Sequence, residues 1–366
     1  MGRRLSEQDV EAIAQGSAIL GTGGGGDPYL GTVFAAHAVR EYGEPELISV
    51  GELDDDALVV QSVMVGSPVP FMEKLSLGPE LLRAFAGMQA AVQRPITALM
   101  TPEIGGVNTV IAIALAAELG LPVVDADGMG RAFPEVQLVT YSLYGINVCP
   151  LVMADEHGNT VTINAIDNDW TEKLARSTVI QFGAISPTVG FPMGKADLER
   201  AAVLGSVSLS LQIGQILADP GRAGPSVLQR VLGLTGGTQL FEGKVTAVDR
   251  RVTGGWAVGD VEIEGSGESR GAHLRVTFQN ENLVAFQNDE IVASVPDLIT
   301  IVEQDTCRAI TTERLRYGVR VRVLAMPADD RWVSEPGLAM AGPRHFGYDA
   351  DYRPFAGRRP ASPVTF

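Results

Sequence analysis

The chain has 366 residues, 45% hydrophobic and 20% charged, the composition of a folded protein of about two domains, which excludes bulk disorder. Its 28 Lys and Arg against 44 Asp and Glu give a formal net charge of −16, which argues against nucleic acid or an anionic membrane surface as partner. Two Cys and four His argue against a disulfide scaffold and a Cys-rich structural zinc site.

The start, Met1 to Arg4, is basic, but Ser6-Glu7-Gln8-Asp9 follows where a signal peptide needs an apolar run. Ser6 with Asp9 and Glu11 opens a helix whose apolar face is Val10, Ile13, Ala14 and Ala18. That helix runs into Gly21-Thr22-Gly23-Gly24-Gly25-Gly26-Asp27-Pro28, and a second helix covers Gly31 to Glu41. Ala57 to Val65 reads as a buried strand ending at Gly66. Glu80 to Val92 reads as a helix, Ile96 to Met100 as a strand, Asn108 to Leu119 as a helix closed by Gly120, and Pro122 to Val124 as a strand. The run from Val110 to Ala117 is interrupted by Glu118, short of the ~20 residues of a spanning helix, so a cytoplasmic protein is expected.

This rhythm predicts an α/β domain with a parallel or mixed sheet and flanking helices. Ligands in such sheets sit beyond the carboxyl ends of the strands. Three loops fall there: Gly66-Ser67-Pro68, Glu103-Ile104-Gly105-Gly106 and Asp125-Ala126-Asp127-Gly128. Beyond them the pattern changes. Leu151 to Met153 and Val161 to Ile163 form a hairpin, Trp170 to Gln181 a helix, and Asp197 to Leu217 one or two helices. Pro220-Gly221-Arg222-Ala223-Gly224-Pro225 breaks the chain, and from Gln239 strand signals dominate. The second half is thus expected to be α+β, a helical section carrying a β-rich module. The tail after Tyr352 is expected to be irregular.

The glycine run lets backbone N–H groups converge on an anion or a carbonyl oxygen. No Gly-Lys-Ser or Gly-Lys-Thr follows it, and a helix rather than a strand precedes it, so it matches neither a Walker loop nor a dinucleotide fingerprint. A linker between helices is the plainer reading. Asp125 and Asp127, two apart at a strand end, point the same way and with Glu103 form an acidic set. Close carboxylates raise one another's pKa and suit proton transfer. They could instead hold magnesium, or serve only as turn residues. Cys149 would need a base to act as nucleophile, and only His157 lies nearby in sequence. Cys307 is placed on a surface loop. Arg344, beside His345, could be a carboxylate clamp. Asp167 or Asn168 caps the helix before Trp170. Phe278-Gln279-Asn280-Glu281-Asn282-Leu283 could face a ligand imide edge, with a β-turn the simpler explanation.

Together, Leu20-Gly21-Thr22-Gly23-Gly24-Gly25-Gly26-Asp27-Pro28, Glu103-Ile104-Gly105-Gly106, Val124-Asp125-Ala126-Asp127-Gly128-Met129-Gly130-Arg131-Ala132-Phe133-Pro134-Glu135, Phe278 to Asn282 and Leu315-Arg316-Tyr317-Gly318 resemble the S-methyl-thiohydantoin desulfurase-like family. The resemblance spans Leu5 to Asp349. It implies an N-terminal α/β domain over residues 1–166 and a C-terminal domain over 167–366. It further implies a hydrolase that replaces the S-methyl group of a small five-membered ring by water, giving a hydantoin and methanethiol. For that chemistry the expected base is Asp125 or Asp127, and Glu103 accepts a ring N–H. The backbone of Gly23, Gly24, Gly25 and Gly26 cradles the ring oxygen, flanked by Thr22, Asp27, Gly105 and Gly106. Arg131 orients a substrate carboxylate or buffers the acidic pair, and Cys149 is an outside candidate for a covalent route. No cofactor is expected, with a divalent metal at Asp125 and Asp127 left open. A homo-oligomer is expected from apolar β-rich surfaces, and the resemblance adds a hydantoinase/oxoprolinase-type protein as a partner. The alternatives are a hydantoin- or oxoproline-type cyclic amide hydrolase and a non-catalytic subunit of a hydantoinase-type complex.

Overall fold

Ser6 caps the first helix reciprocally. Its Oγ accepts from the Asp9 N–H at 3.2 Å, while the Asp9 carboxylate accepts from the Ser6 N–H at 3.1 Å, fixing the start of α1 (Glu7–Leu20). The computed structural model describes residues 2–66, 78–219, 226–364 and 366. Ser67 and Pro68 of the first strand-end loop, and the expected break at 220–225, lie outside them.

The further helices are α2 (Pro28–Tyr42), α3 (Pro79–Val92), α4 (Asn108–Leu119), α5 (Thr140–Leu143), α6 (Asn168–Gln181), α7 (Lys195–Ala201), α8 (Ser206–Ala218), α9 (Val227–Thr235) and α10 (Glu335–Ala341). Asp167 caps α6, accepting from the Trp170 N–H at 2.7 Å. Helix α4 has no capping side chain at its start. Its first N–H groups, of Val107 and Asn108, donate instead to the Gly25 carbonyl at 2.8 and 3.3 Å, so the glycine loop closes the end of the most buried helix.

One mixed eight-stranded sheet holds β1 (Arg3–Arg4), β2 (Glu46–Ile48), β3 (Val59–Gly66), β4 (Ala98–Met100), β5 (Val123–Val124), β7 (Leu151–Ala154), β8 (Thr160–Ile163) and β9 (Ile185–Met193). Its order is β1-β2-β5-β4-β3-β9-β7-β8. Strands β2, β5, β4 and β3 run parallel, and β9 enters antiparallel between β3 and β7, with Val63 opposite Thr188 and Val152 opposite Val189. Strand β6 (Ala126–Asp127) pairs separately with β10 (Val203–Leu204).

The second large sheet is antiparallel. Its strands are β11 (Thr238–Thr253), β12 (Trp256–Gly265), β13 (His273–Gln279), β14 (Glu281–Gln287), β15 (Glu290–Ser294), β16 (Leu298–Glu303) and β17 (Arg320–Met326), in the order β15-β14-β13-β12-β11-β17-β16. Register shifts along β11 at Gln239/Phe241 and Val245/Ala247 help curl it into a half-barrel. The fold is therefore an N-terminal α/β domain on a mixed sheet and a C-terminal domain of half-barrel plus helices.

The two parts share one core. Leu283, Val284, Leu298 and Trp332 pack in the same apolar cluster as α1, α4 and the mixed sheet, while a second cluster fills the half-barrel. The tail is irregular, yet anchored. Phe355 is buried, and Tyr352 Oη and Arg358 Nε donate to the fully buried Asp297 carboxylate at 2.7 and 2.8 Å. Cys307, expected on a surface loop, is buried against the core because its segment folds back onto β16, and burial pushes its thiol up to about 11.

Candidate active site

Thr22 O accepts from the Asn282 N–H at 2.7 Å and Gly23 O from the Thr312 N–H at 2.8 Å, so the glycine run is clamped onto the half-barrel. On its other side it meets Gly105: a Cβ on Gly25, which has φ +68°, would overlap the Gly105 Cα. A Cβ on Gly24 would overlap the Glu281 carboxyl. The glycines thus let three backbones and one carboxyl meet where side chains would hold them apart.

A cavity opens beside this junction, about 720 Å³ counting its mouth. Its floor combines Gly25, Gly26, Glu103, Asn108, Asn280 and Glu281; Val63, Val65, Ile185 and Phe191 give it an apolar wall, and Glu135 and Arg176 lie on another side. Two of the three expected strand ends reach it, through Gly66 and through Pro102 and Glu103. Among the described residues no acceptor engages the Gly25 and Gly26 N–H groups. Met129 and Phe133 also line the cavity and are held by Trp332. Trp332 Nε1 donates to Met129 O at 2.8 Å and its ring stands edge-on to Phe133, with centroids 5.0 Å apart.

The two floor carboxyls have different surroundings. Glu103 accepts from Asn108 Nδ2 and from the Phe133 N–H at 3.3 Å. Burial raises it to about 7, against the pull of these donors and of Arg131. Glu281 Oε2 is buried with no partner, and burial, with the neighbouring Glu103 charge, pushes its carboxyl well above the ordinary range. Burial also opposes ionisation at Glu135, but the His345 ring, bonded at 3.1 Å, with Gln137 and Arg176, holds that carboxyl below its ordinary value.

Arg131 is fully buried. Its Nη1 donates to Pro296 O and Asp297 O at 2.6 and 3.1 Å, Nη2 to Thr22 Oγ1 and Asn282 O at 3.0 and 3.4 Å, and Nε to Ala132 O at 3.0 Å. With its donors engaged it does not reach out to a substrate carboxylate, correcting that expectation. It is a buried cation for Glu281, Asp297 and Glu103, and burial lowers it to about 10. Thr22 is likewise turned to Arg131 rather than the cavity. Asp27 caps α2 through Tyr29 N at 2.8 Å and pairs with Arg314, so its carboxylate too is engaged in structure.

The two aspartates do not share a pocket, contrary to the same-face expectation, because each satisfies a different backbone turn. Asp125 accepts from the N–H and hydroxyl of Ser208 in the first turn of α8. Asp127 is buried, accepts from Met129 and Gly130 N–H at 2.8 and 2.7 Å, and is raised to about 7 by burial. Neither lines the cavity, and among the described residues no three His, Cys, Asp or Glu side chains converge as a metal centre requires. Cys149 Sγ lies 3.1 Å from Thr171 Oγ1, off the cavity, and His157 points to solvent beside Glu156. Arg344 pairs with Asp349 and Asp351 rather than forming an open clamp.

Glu281 is the floor residue that sequence reasoning passed over as part of a polar turn. Asn280 does make that turn, at φ +55°, its Oδ1 accepting from the Ala257 N–H at 2.9 Å. The available signal was a carboxylate two residues before the apolar run Leu283-Val284-Ala285-Phe286.

A crystal structure of a protein from Chromobacterium violaceum is 25% identical and superposes with a TM-score of 0.79, over 96% of this chain and 99% of that one. No curated protein matches the sequence. The profile of the S-Me-THD-like N-terminal domain matches residues 8–165 and that of the C-terminal domain residues 166–355. Both halves of the junction just described, glycine loop and Asn280–Asn282 turn, fall within these matches, and the chain belongs to the S-methyl-thiohydantoin desulfurase-like family.

Proposed function

We propose that the protein hydrolyses the C–S bond of a 2-methylthio-imidazolone ring to a hydantoin and methanethiol, with Glu103 as base and Glu281 as acid. The observation that carries this reading is the contrast between the two floor carboxyls of the cavity. Glu103 has two hydrogen-bond donors that favour its anion, while the Arg131 guanidinium acts on both carboxyls. Glu281 has an unpartnered oxygen and a carboxylate neighbour, which favour its acid. Carboxyls whose surroundings separate their proton affinities divide acid from base work.

In this scheme Glu103 takes a proton from water as its oxygen adds to the ring carbon, while Glu281 protonates the adjacent ring nitrogen. The C–S bond then breaks, the sulfur takes the proton held by Glu103, and the adduct hydroxyl returns a proton to Glu281. Both carboxyls end as they began. In this reading the Gly25 and Gly26 N–H groups hold the ring oxygen, and the Val63, Val65 and Phe191 wall takes the S-methyl group.

The test is methanethiol release from a synthetic 2-methylthio-imidazolone. Glu103→Gln and Glu281→Gln should each lower kcat/KM by roughly 10²- to 10⁴-fold. Full activity in both variants would sink the assignment, and a ring-opened carboxylate without thiol would replace desulfurisation by cyclic amide hydrolysis.

A further inference from the structure

Another buried carboxyl, that of Glu313, stands behind the glycine loop, outside the cavity. Residues 311–314 are tied beneath the loop: besides the Thr312 N–H to Gly23 O bond, Thr312 Oγ1 donates to Asn280 O at 2.7 Å. The Glu313 backbone is held in turn by Arg250, whose Nη1 donates to Glu313 O at 2.9 Å and Nη2 to Leu315 O at 2.8 Å. Both Glu313 carboxyl oxygens are buried without a close hydrogen-bond partner, as is Glu281 Oε2, and the Thr311 hydroxyl beside Glu313 only partly favours its anion. The Thr312–Asn280 bond sets the segments that carry the two carboxyls side by side, and the Glu313 charge adds to the larger effects of burial and Glu103 on Glu281. Neighbouring buried carboxyls that lack donors do not both ionise readily.

We propose that Glu313 is a positioning residue for the reaction proposed above: from behind the glycine loop its charge keeps the proton on Glu281. This rests on the reading of Glu281 as the acid. The groups facing Glu281 are Glu103 and Glu313, which hold the proton on, and Arg131, which opposes them. Those facing Glu313 are Asp27, the Thr311 hydroxyl and Arg250. Burial raises Glu313 to about 7, with Asp27 adding and Arg250 opposing. Its charge therefore develops as the pH passes neutrality. Glu313 need not touch substrate. It acts through Glu281, and the two are joined by the short segment that also fixes Gly23.

The test needs no substrate. The carbonyl band of protonated carboxyls is followed by infrared difference spectroscopy against pH, and the Glu281 contribution is found by subtracting Glu281→Gln. Glu313→Gln should move the midpoint of that band down, by less than Glu103→Gln moves it, and Glu313→Asp, which retains the charge, should keep most of the wild-type value. Glu313→Met, which needs no hydrogen-bond partner in the same place, gives the same readout if the amide fails to fold. An unchanged midpoint in a folded Glu313→Gln or Glu313→Met protein overturns the proposal. In the thiol-release assay the alkaline limb of kcat/KM should move to lower pH in step with the band. Absence of thiol release from the wild type overturns the desulfurase reading, while the infrared midpoint still decides the coupling.

Discussion

The contact between Gly25 and Gly105 can be taken apart by three substitutions. Gly120 at the end of α4 is left-handed, at φ +66°, with open space where a Cβ would go. Gly120→Ala therefore reads the conformational cost alone, ~1–2 kcal/mol, offset by ~0.4–1 kcal/mol from the stiffer unfolded chain. Gly105 is not left-handed, but its Cβ would strike the Gly25 Cα, with the Gly25 carbonyl oxygen 2.9 Å away. These are backbone atoms that no rotamer change removes, so Gly105→Ala reads the clash alone, ~1–3 kcal/mol as for other overpacking. Gly25→Ala carries both terms and should cost ~2–4 kcal/mol. The double variant Gly25→Ala/Gly105→Ala should be far from additive, because the same contact is struck twice. Urea unfolding supplies the comparison, provided the slopes agree across the set. Wild-type stability for Gly105→Ala, or no greater loss in Gly25→Ala than in Gly120→Ala, would refute the reasoning. Since the Gly25 carbonyl also closes α4, Gly25→Ala should reduce thiol release as well, whereas Gly120→Ala should not.

Asp125→Ala should cost about 1 kcal/mol through loss of its helix-start contacts and leave kcat/KM in place; a collapse of turnover in a stable Asp125→Ala protein would return that residue to the chemistry. Asp127 is raised from 3.8 to about 7 by burial, so the native state holds a proton that the unfolded chain has released. Its contribution to stability is complete below 3.8 and is lost as the pH rises to about 7. Asp127→Asn should flatten that fall, read from urea midpoints at a series of pH values. Arg358→Met removes the guanidinium paired with the buried Asp297 carboxylate, leaving only the more distant Arg131 charge, and should cost ~3 kcal/mol, with a loss of thermal stability that removal of residues 359–366 does not reproduce.

Much of the N-terminal architecture is legible in the sequence because local chemistry and tertiary demand agree there. Ser6 and Asp9 make their own cap, and the buried run after Asn108 is helical as expected. Strand β9 escapes notice because Pro187, Gly190 and Pro192 read as breakers. Its place between β3 and β7 is set by long-range pairing that no local pattern announces. The site divides in the same way. The glycine run and Glu103 stand out because several adjacent glycines and an acidic strand-end loop are unusual. The aspartates mislead because spacing says which side of a strand a carboxylate leaves, not whether a cavity or a backbone N–H awaits it. Arg131 misleads for a related reason: its donors are engaged by carbonyls from distant segments, which a sequence does not bring together.

The position of β9 bears on how the molecule can be made. The inner edges of β3 and β7 stay open until the ribosome has released Met193, so the mixed sheet cannot close cotranslationally on its N-terminal strands alone. A chain cut near residue 166 would leave an N-terminal fragment with an open slot in its sheet and a C-terminal fragment carrying the strand that fits it. The two pieces form a natural complementation pair, in which the assembly of a split protein would report on strand insertion.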